Sequence, residues 1–158
     1  MILSTKGRYG LRALIDLAVY SEDEAVSIQS ISQRQQISDS YLEQLMAKLK
    51  KAGLVVSIRG AGGGYRLAKP AREISVGDVL RALEGDLSAV ICPGNEEGSG
   101  GCEAADICVT RYVWQKINDS IAHTVDTIML DQLAEESRRL IKDKGAKRSQ
   151  ICKKPGVC

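Results

Sequence analysis

Apolar residues recur at helical spacing over residues 8–20, where Leu11, Leu14, Ile15, Ala18 and Val19 share one face, so the pattern predicts an amphipathic first helix. Ser-Glu-Asp-Glu at 21–24 ends it. Ser27 is placed to cap a short second helix whose buried face is Ile28 and Ile31. Ile37 and Ser38 make the next turn, with Ser38 capping a third helix over residues 39–52. Leu42, Leu45, Met46 and Leu49 give that helix a core-facing stripe. Ser40, Glu43, Gln44, Ala47, Lys48 and Lys51 face outward, and Gly53 stands where helices favour ending.

The period then changes. Residues 54–59 and 65–68 read as two short strands flanking the Gly-Ala-Gly-Gly-Gly run at 60–64, a hairpin with a glycine-rich tip. Helix, short helix, turn, helix and hairpin is the order of a winged helix-turn-helix, in which the third helix enters the DNA major groove and the wing reaches phosphate or the minor groove. The glycine tip lacks the Lys-Ser/Thr of a P-loop and leads into a strand, which argues against a nucleotide cradle. Ser75-Val-Gly-Asp78 resembles a capping box opening a helix through Glu84, closed by Gly85. Farther on, Val109, Val113, Ile117, Ile121 and Val125 recur every fourth residue with Trp114 beside them, predicting one helix of about 18–20 residues. That stripe has no obvious neighbour left in a small wing domain. Its natural partner is a second copy of itself in a symmetric dimer, the alternative being packing within the chain. A short last helix is expected over residues 131–141.

The expected fold is therefore mostly α with a small β-hairpin: a winged helix-turn-helix plus a long dimerisation helix. Residues 1–84 form the DNA-binding domain and its connecting helix, 85–108 a cysteine-rich loop, 109–141 the dimerisation helix and short last helix, and 142–158 a basic mobile tail. With 158 residues the chain suffices for one domain and an appendage. Charge sharpens this division. Residues 1–70 carry ten Lys/Arg against six Asp/Glu, residues 71–110 two against eight, and residues 138–158 eight against one. A basic front half suits a polyanion, whereas the acidic middle does not. No apolar run approaches a membrane span, and no signal-peptide segment opens the chain, so no membrane partner and a cytoplasmic location are expected. No catalytic set assembles, and the single histidine, His123, is read as packed or solvent-facing, so no enzymatic activity is expected.

One stretch carries candidate chemistry. Cys92, Cys102 and Cys108 fall within seventeen residues, spaced Cys-x9-Cys-x5-Cys, and the first interval is rich in glycine and acidic residues. Such a segment cannot bury an apolar face, so three thiols on one exposed loop can converge on zinc or an iron–sulfur cluster. Ordinary core cysteines or a disulfide are the alternatives. A reducing compartment favours metal over disulfide. Cys152 and Cys158, in the tail, are as readily incidental as functional.

Several stretches together resemble IscR-type iron–sulfur-cluster transcription regulators: Leu3-Ser-Thr-Lys-Gly-Arg-Tyr9, Ile37-Ser-Asp-Ser-Tyr-Leu-Glu-Gln-Leu45, Lys50-Lys-Ala-Gly-Leu-Val55, Ser57-Ile-Arg-Gly-Ala-Gly-Gly-Gly-Tyr65, Ile74-Ser-Val-Gly-Asp78 and the three-cysteine loop. The match runs from about residue 3 to residue 133. The resemblance implies a homodimer on near-palindromic promoter DNA that adjusts cluster-assembly genes to cluster supply, with the assembly machinery as donor. It implies that Ser40, Glu43 and Gln44 face the major groove, where Gln44 can pair with base edges and Glu43 accepts only from a donor such as cytosine N4. Arg59, at the base of the wing, would enter a narrow minor groove. The implied cofactor is a 2Fe–2S cluster on Cys92, Cys102 and Cys108, with 4Fe–4S as the other candidate.

One position departs from the pattern. Such regulators place a histidine three residues after the third cysteine, and here that residue is Arg111, which has no lone pair to offer. Related nitric-oxide-sensing regulators use an N-terminal aspartate, where this chain has Arg8. The fourth ligand is left to a backbone group, a carboxylate (Asp106 or Glu103), a tail cysteine, water or a small thiol, while Arg111 would favour an anionic cluster electrostatically. Two rival readings are a cluster-free regulator of cysteine metabolism that works through a partner enzyme, and a metal or cluster carrier without DNA binding.

Overall fold

The computed structural model describes residues 3–21, 24–91, 102 and 107–151, with side chains described as far as residue 145. Helix α1 (Thr5–Tyr20) opens with Ser4, whose hydroxyl accepts from the Lys6 amide. The centre of its buried face is Gly7, Gly10, Ala13, Leu14, Leu17 and Ala18, while Leu11, Ile15 and Val19 flank it half-buried. Small residues in the middle let the neighbouring helix come close. Helix α2 (Ile28–Gln35) is capped by Ser27 as the sequence predicts, with Ile28 and Ile31 buried. It stops where Gln36 turns left-handed at φ 55°, and Ile37 drops into the core.

Helix α3 (Asp39–Lys51) buries Leu42, Leu45, Met46 and Leu49, the expected stripe. Its start differs from expectation. Ser38 holds the extended cap conformation, but its side chain makes no cap hydrogen bond. Its end follows the glycine rule: Gly53 has φ 72°, its amide bonds the Lys50 carbonyl, and the Leu54 amide bonds the Leu49 carbonyl, which is a Schellman closure.

Strands β1 (Val55–Ile58) and β2 (Gly64–Leu67) pair antiparallel, from Val55 opposite Leu67 to Ile58 opposite Gly64. Val26 pairs with Tyr65 on the other side of β2 through two 2.8 Å backbone hydrogen bonds. Glycine at 64 is needed for that approach, because a Cβ there would overlap the Val26 carbonyl. After a 3-10 turn at Ala71–Glu73, helix α4 (Val76–Glu84) begins with both bonds of the Ser75/Asp78 capping box and closes at Gly85.

Helix α5 (Val109–Thr127) has 19 residues, matching the predicted length, yet none of them is fully buried. Helix α6 (Leu130–Ile151) runs ten residues beyond the expected end at 141. The stretch from Lys142 reads as tail because it is basic and contains Gly145 and Pro155. However, Lys142, Lys144, Ala146, Lys147 and Arg148 are good helix formers, and Gly145 alone does not break the helix.

The main core is aliphatic and joins α1, α2, α3, β1 and α4 to the first turns of α6, where Leu130 and Ala134 are buried. A smaller cluster of Val76, Leu80 and Leu87 packs under Ile121, Val125 and Ile128. Backbone bonds from Val76 to Ile128 and from Leu130 to Ile74 (both 2.9 Å) fasten the α5–α6 corner to the start of α4. Among the described residues, no helix is long and apolar enough to cross a membrane.

Candidate nucleic-acid interface and cysteine segment

The helix-turn-helix is braced from behind by a buried charge. Asp16 of α1 is almost wholly enclosed and receives Arg34 of α2 through Nε and Nη2, the shortest bond being 2.6 Å, together with Gln35 Nε2 at 2.9 Å. Pairing of this kind is what makes a buried carboxylate tolerable, and it raises the Arg34 pKa through the Asp16 hydrogen bond. Arg12 adds a second clasp, donating to the Gln35 carbonyl at 2.7 Å and to its side-chain oxygen at 3.2 Å. The angle between α1 and α2, and hence the presentation of α3, is fixed by these groups.

On that frame Ser40, Glu43 and Gln44 are all exposed on α3, and Arg59 is exposed directly after β1. Among the described residues no carboxylate lies within ion-pair distance of Arg59, so its guanidinium is available for phosphate or base edges. Lys50, near the end of α3, donates to Ser57 of β1 at 2.6 Å. That bond ties the recognition helix to the wing two residues before Arg59. Sequence reading missed this tie, since an outward Lys and a strand Ser carry no mutual signal until the hairpin folds back. It also missed Tyr41, whose hydroxyl is 3.0 Å from Thr5 Oγ1 and whose ring meets Tyr9 edge-on. The tyrosines of both opening motifs were visible in the sequence, but nothing there paired them. The last turn of α3 is basic, with Lys48, Lys50 and Lys51, which adds positive potential to the helix that carries Ser40, Glu43 and Gln44.

The cysteine segment is described in part. Cys92 lies outside the described residues, as do Glu103, Asp106, Cys152 and Cys158. Cys102 is an exposed free thiol and Cys108 a half-buried one. Cys108 occupies the N-cap position of α5, with Sγ 3.1 Å from Thr110 Oγ1. The Thr110 hydroxyl, the first-turn amides at Arg111 and Thr110 and the Arg111 guanidinium hold its pKa below the usual thiol value, as a helix N-terminus should. A thiolate is the form that ligates soft metal centres, so this donor fits an iron–sulfur cluster or zinc. Arg111 favours that thiolate without being able to bind metal itself. Arg8, at the alternative ligand position, is exposed and lies over the Tyr9 ring. His123 is solvent-facing on α5.

The chain leading towards Cys92 is held by α5. Asn118 accepts from the Ala89 amide at 2.8 Å and donates to the Val90 carbonyl at 2.9 Å, mimicking a strand partner. Arg81 of α4 reaches Asp126 of α5 in a bidentate pair at 2.6 and 2.9 Å. Thus both margins of the cysteine segment rest on α5, and α5 rests on α4.

A helix-turn-helix with an exposed polar face on α3, a glycine-tipped wing and, at its base, an arginine with no ion pair among the described residues is the architecture of a DNA-binding transcription regulator. A family model named Rrf2 and described as an iron-dependent transcriptional regulator matches residues 3–136. The chain belongs to that family, as an IscR-type regulator. It is 44% identical over 140 residues to the HTH-type transcriptional regulator IscR of Pectobacterium carotovorum subsp. carotovorum (strain PC1), covering 89% of this chain and 83% of that protein. Identity to the IscR of Escherichia coli O1:K1 / APEC is 42% over 140 residues, covering 89% of this chain and 84% of that one. Among solved structures, T. potens IscR superposes with a TM-score of 0.67 at 44% identity, covering 86% of this chain and 88% of that one. CymR (YrzC), the global cysteine regulator of B. subtilis, superposes with a TM-score of 0.71 at 40% identity, covering 86% and 98% respectively.

Proposed function

We propose that this regulator senses iron–sulfur status through a cluster held by Cys92, Cys102 and Cys108, and that as a cytoplasmic homodimer it binds promoters of cluster-biogenesis genes. The observation that carries this reading is the seating of Cys108 at the N-cap of α5, with Sγ 3.1 Å from Thr110 Oγ1. A bound cluster, 2Fe–2S in the first instance and 4Fe–4S otherwise, would supply a redox- and supply-sensitive bridge between the thiols. The chain's own residues do the rest. Asn118 holds residues 89 and 90 on α5, Arg81 and Asp126 hold α5 on α4, and α4 packs on α1. The exposed Val109, Val113 and Ile117 form the face on which a second copy would dock. Ser40, Glu43 and Gln44 would read base edges, with Glu43 discriminating against acceptor-rich positions, and Arg59 would enter the minor groove. Arg59→Ala should weaken binding and lower the salt slope by about one. The assembly machinery would donate the cluster.

Protein purified without oxygen is expected to be coloured and to contain iron and sulfide, while Cys92→Ala folds but stays colourless. A wild-type preparation that is colourless and resists reconstitution removes the cluster from the reading. The likeness to CymR, together with Arg111 at the customary histidine position, favours one second reading: a cluster-free regulator of cysteine metabolism that works through a partner enzyme. The same iron and sulfide count per chain separates the two.

A further inference from the structure

The recognition helix begins without the usual anchor. Ser38 sits at its N-cap, but the hydroxyl bonds no first-turn amide, so the turn that carries Ser40 and leads into Glu43 and Gln44 must be fixed by other means. Tyr41 provides the attachment. Its hydroxyl bonds Thr5 Oγ1 at 3.0 Å, and its ring packs edge-on against Tyr9 with centroids 6.2 Å apart and planes at 88°. Both partners stand at the start of α1. Beyond the burial of Leu42 in the core, the first turn of α3 thus takes its placement from the start of α1.

That turn is held by one carboxylate oxygen. Glu84 Oε1, at the end of α4, accepts from the Ser4 amide at 3.0 Å, the Ser4 hydroxyl at 2.7 Å and the Gly7 amide at 2.9 Å. Ser4 in turn accepts from the Lys6 amide at 3.1 Å, so cap and carboxylate form one cluster. The approach requires glycine at 7, because a Cβ there would stand 2.7 Å from the same oxygen. A carboxylate in the last turn of its own helix opposes the helix dipole. Glu84 escapes that penalty by facing the N-terminal amides of another helix, where negative charge is welcome.

Resting on the reading of α3 as the base-reading helix, we propose that Glu84 is a positioning residue for DNA recognition: it fixes the first turn of α1 and, through Thr5 and Tyr41, the start of α3. It touches no DNA itself. One turn earlier on the same helix, Arg81 grips Asp126 of α5, so α4 meets the recognition half and the long helix with groups only three residues apart.

The test uses the full-length protein as isolated and a fluorescent duplex selected by the wild-type protein from a random pool, read by anisotropy at fixed salt. Glu84→Ala should bind about tenfold more weakly while circular dichroism shows it folded. Glu84→Gln, which keeps an acceptor oxygen in place, should recover most of the affinity. The double variant Glu84→Ala/Tyr41→Phe should bind no more weakly than Glu84→Ala alone, since both changes break one route. A residue that only stabilises the fold would lower the melting temperature and leave the affinity of the folded protein intact. Binding within about twofold of wild type, or fully additive losses in the double variant, overturns the proposal. If Glu84→Ala does not fold, Thr5→Val breaks the same route from an exposed position, and unaltered binding by that folded variant overturns it equally. Iron and sulfide content, unchanged across the variants, separates loss of positioning from failure of cluster sensing.

Discussion

Helices α3 and α5 carry the same kind of sequence signal and meet opposite fates. In α3 the apolar stripe of Leu42, Leu45, Met46 and Leu49 is sealed, with at most 1% of any side chain exposed. In α5 Val109 is 81% exposed, Val113 45% and Ile117 38%, and only the far end, at Ile121 and Val125, packs against the α4 cluster. Periodicity states that a face needs burial. It does not state whether the covering surface belongs to the same chain. The contrast sets the two helices apart: α3 is held by its own domain, as the proposed base-reading role requires, while α5 leaves the surface on which a second copy is proposed to dock.

The largest expected effect tests this contrast directly. Leu45→Ala should destabilise the chain by about 2–5 kcal/mol in urea unfolding, because it opens a cavity in a packed core. Val113→Ala should scarcely alter the unfolding of the isolated chain, yet weaken self-association measured by sedimentation. Equal losses of stability from both would break the comparison. A step smaller are the glycines that let α4 approach its neighbours. A Cβ at Gly10 would overlap the buried Leu83 side chain, and one at Gly77 would overlap the Asp126 carboxylate. Leu83 is wedged in the core and cannot retreat, so Gly10→Ala should cost about 1–3 kcal/mol. Asp126 and Arg81 are substantially exposed and can swing aside, so Gly77→Ala should cost less than about 1 kcal/mol while loosening α5 from α4. Thermal melts of the two variants rank them.

Most elements were legible because each rests on a local rule: helical spacing in α1 and α3, Ser27 and the Ser75/Asp78 box as caps, Gly53 and Gly85 as stops, and the glycine-tipped hairpin. What escaped was every feature requiring two distant segments. Gly7 and Gly10 read as weak points in a helix until Glu84 and Leu83 are seen to fill the space they leave. Asp16 reads as a surface residue until Arg34 and Gln35 arrive from α2. Leu130 and Ala134 sit so far along the chain that only the fold returns them to the first core. The end of α6 escaped for another reason, since a basic stretch with Gly145 and Pro155 looks like tail although most of its residues favour helix. At the candidate site the outward face of Ser40, Glu43 and Gln44 was legible from helical spacing, whereas the Lys50–Ser57 and Thr5–Tyr41 ties depend on geometry that spacing does not encode.

Acid should loosen α5 from α4, and the start of α1 from Glu84, before the buried core that holds the stripe of α3 gives way. The Arg81 hydrogen bonds hold the Asp126 pKa below the usual carboxylate value, and the Ser4 hydroxyl, helped by the Gly7 and Ser4 amides, does the same for Glu84. With both folded-state values depressed, the unfolded chain takes up protons first. The contribution is therefore complete above the ordinary carboxylate range near pH 4 and disappears as pH falls through the folded values. No titrating group lies in the buried stripe of α3. Trp114, the single tryptophan, is half-buried on α5, so its fluorescence should shift at higher pH than the loss of far-UV circular dichroism. In Asp126→Asn that early shift should be absent. Coincident transitions in the wild type would show that α5 is not the more weakly held of the two helices.

The smallest effect concerns how α3 starts. Ser27 and Ser38 are both serines at the N-cap of helix-turn-helix helices, and sequence treats them alike. Ser27 accepts from the Ser30 amide at 3.2 Å, so Ser27→Ala should cost about 1 kcal/mol. Ser38 makes no such bond, so Ser38→Ala should cost only a few tenths of that, about 0.3 kcal/mol. Side-by-side urea titrations resolve the difference if the slopes are unchanged. Equal costs would mean that α3 is capped by its own serine in solution, and the Tyr41 contact to α1 would then be redundant. A near-silent Ser38→Ala leaves the beginning of the recognition helix dependent on Thr5, Tyr9 and, behind them, Glu84. In that case α3 resembles α5 after all in one respect: each takes its position from a neighbouring helix.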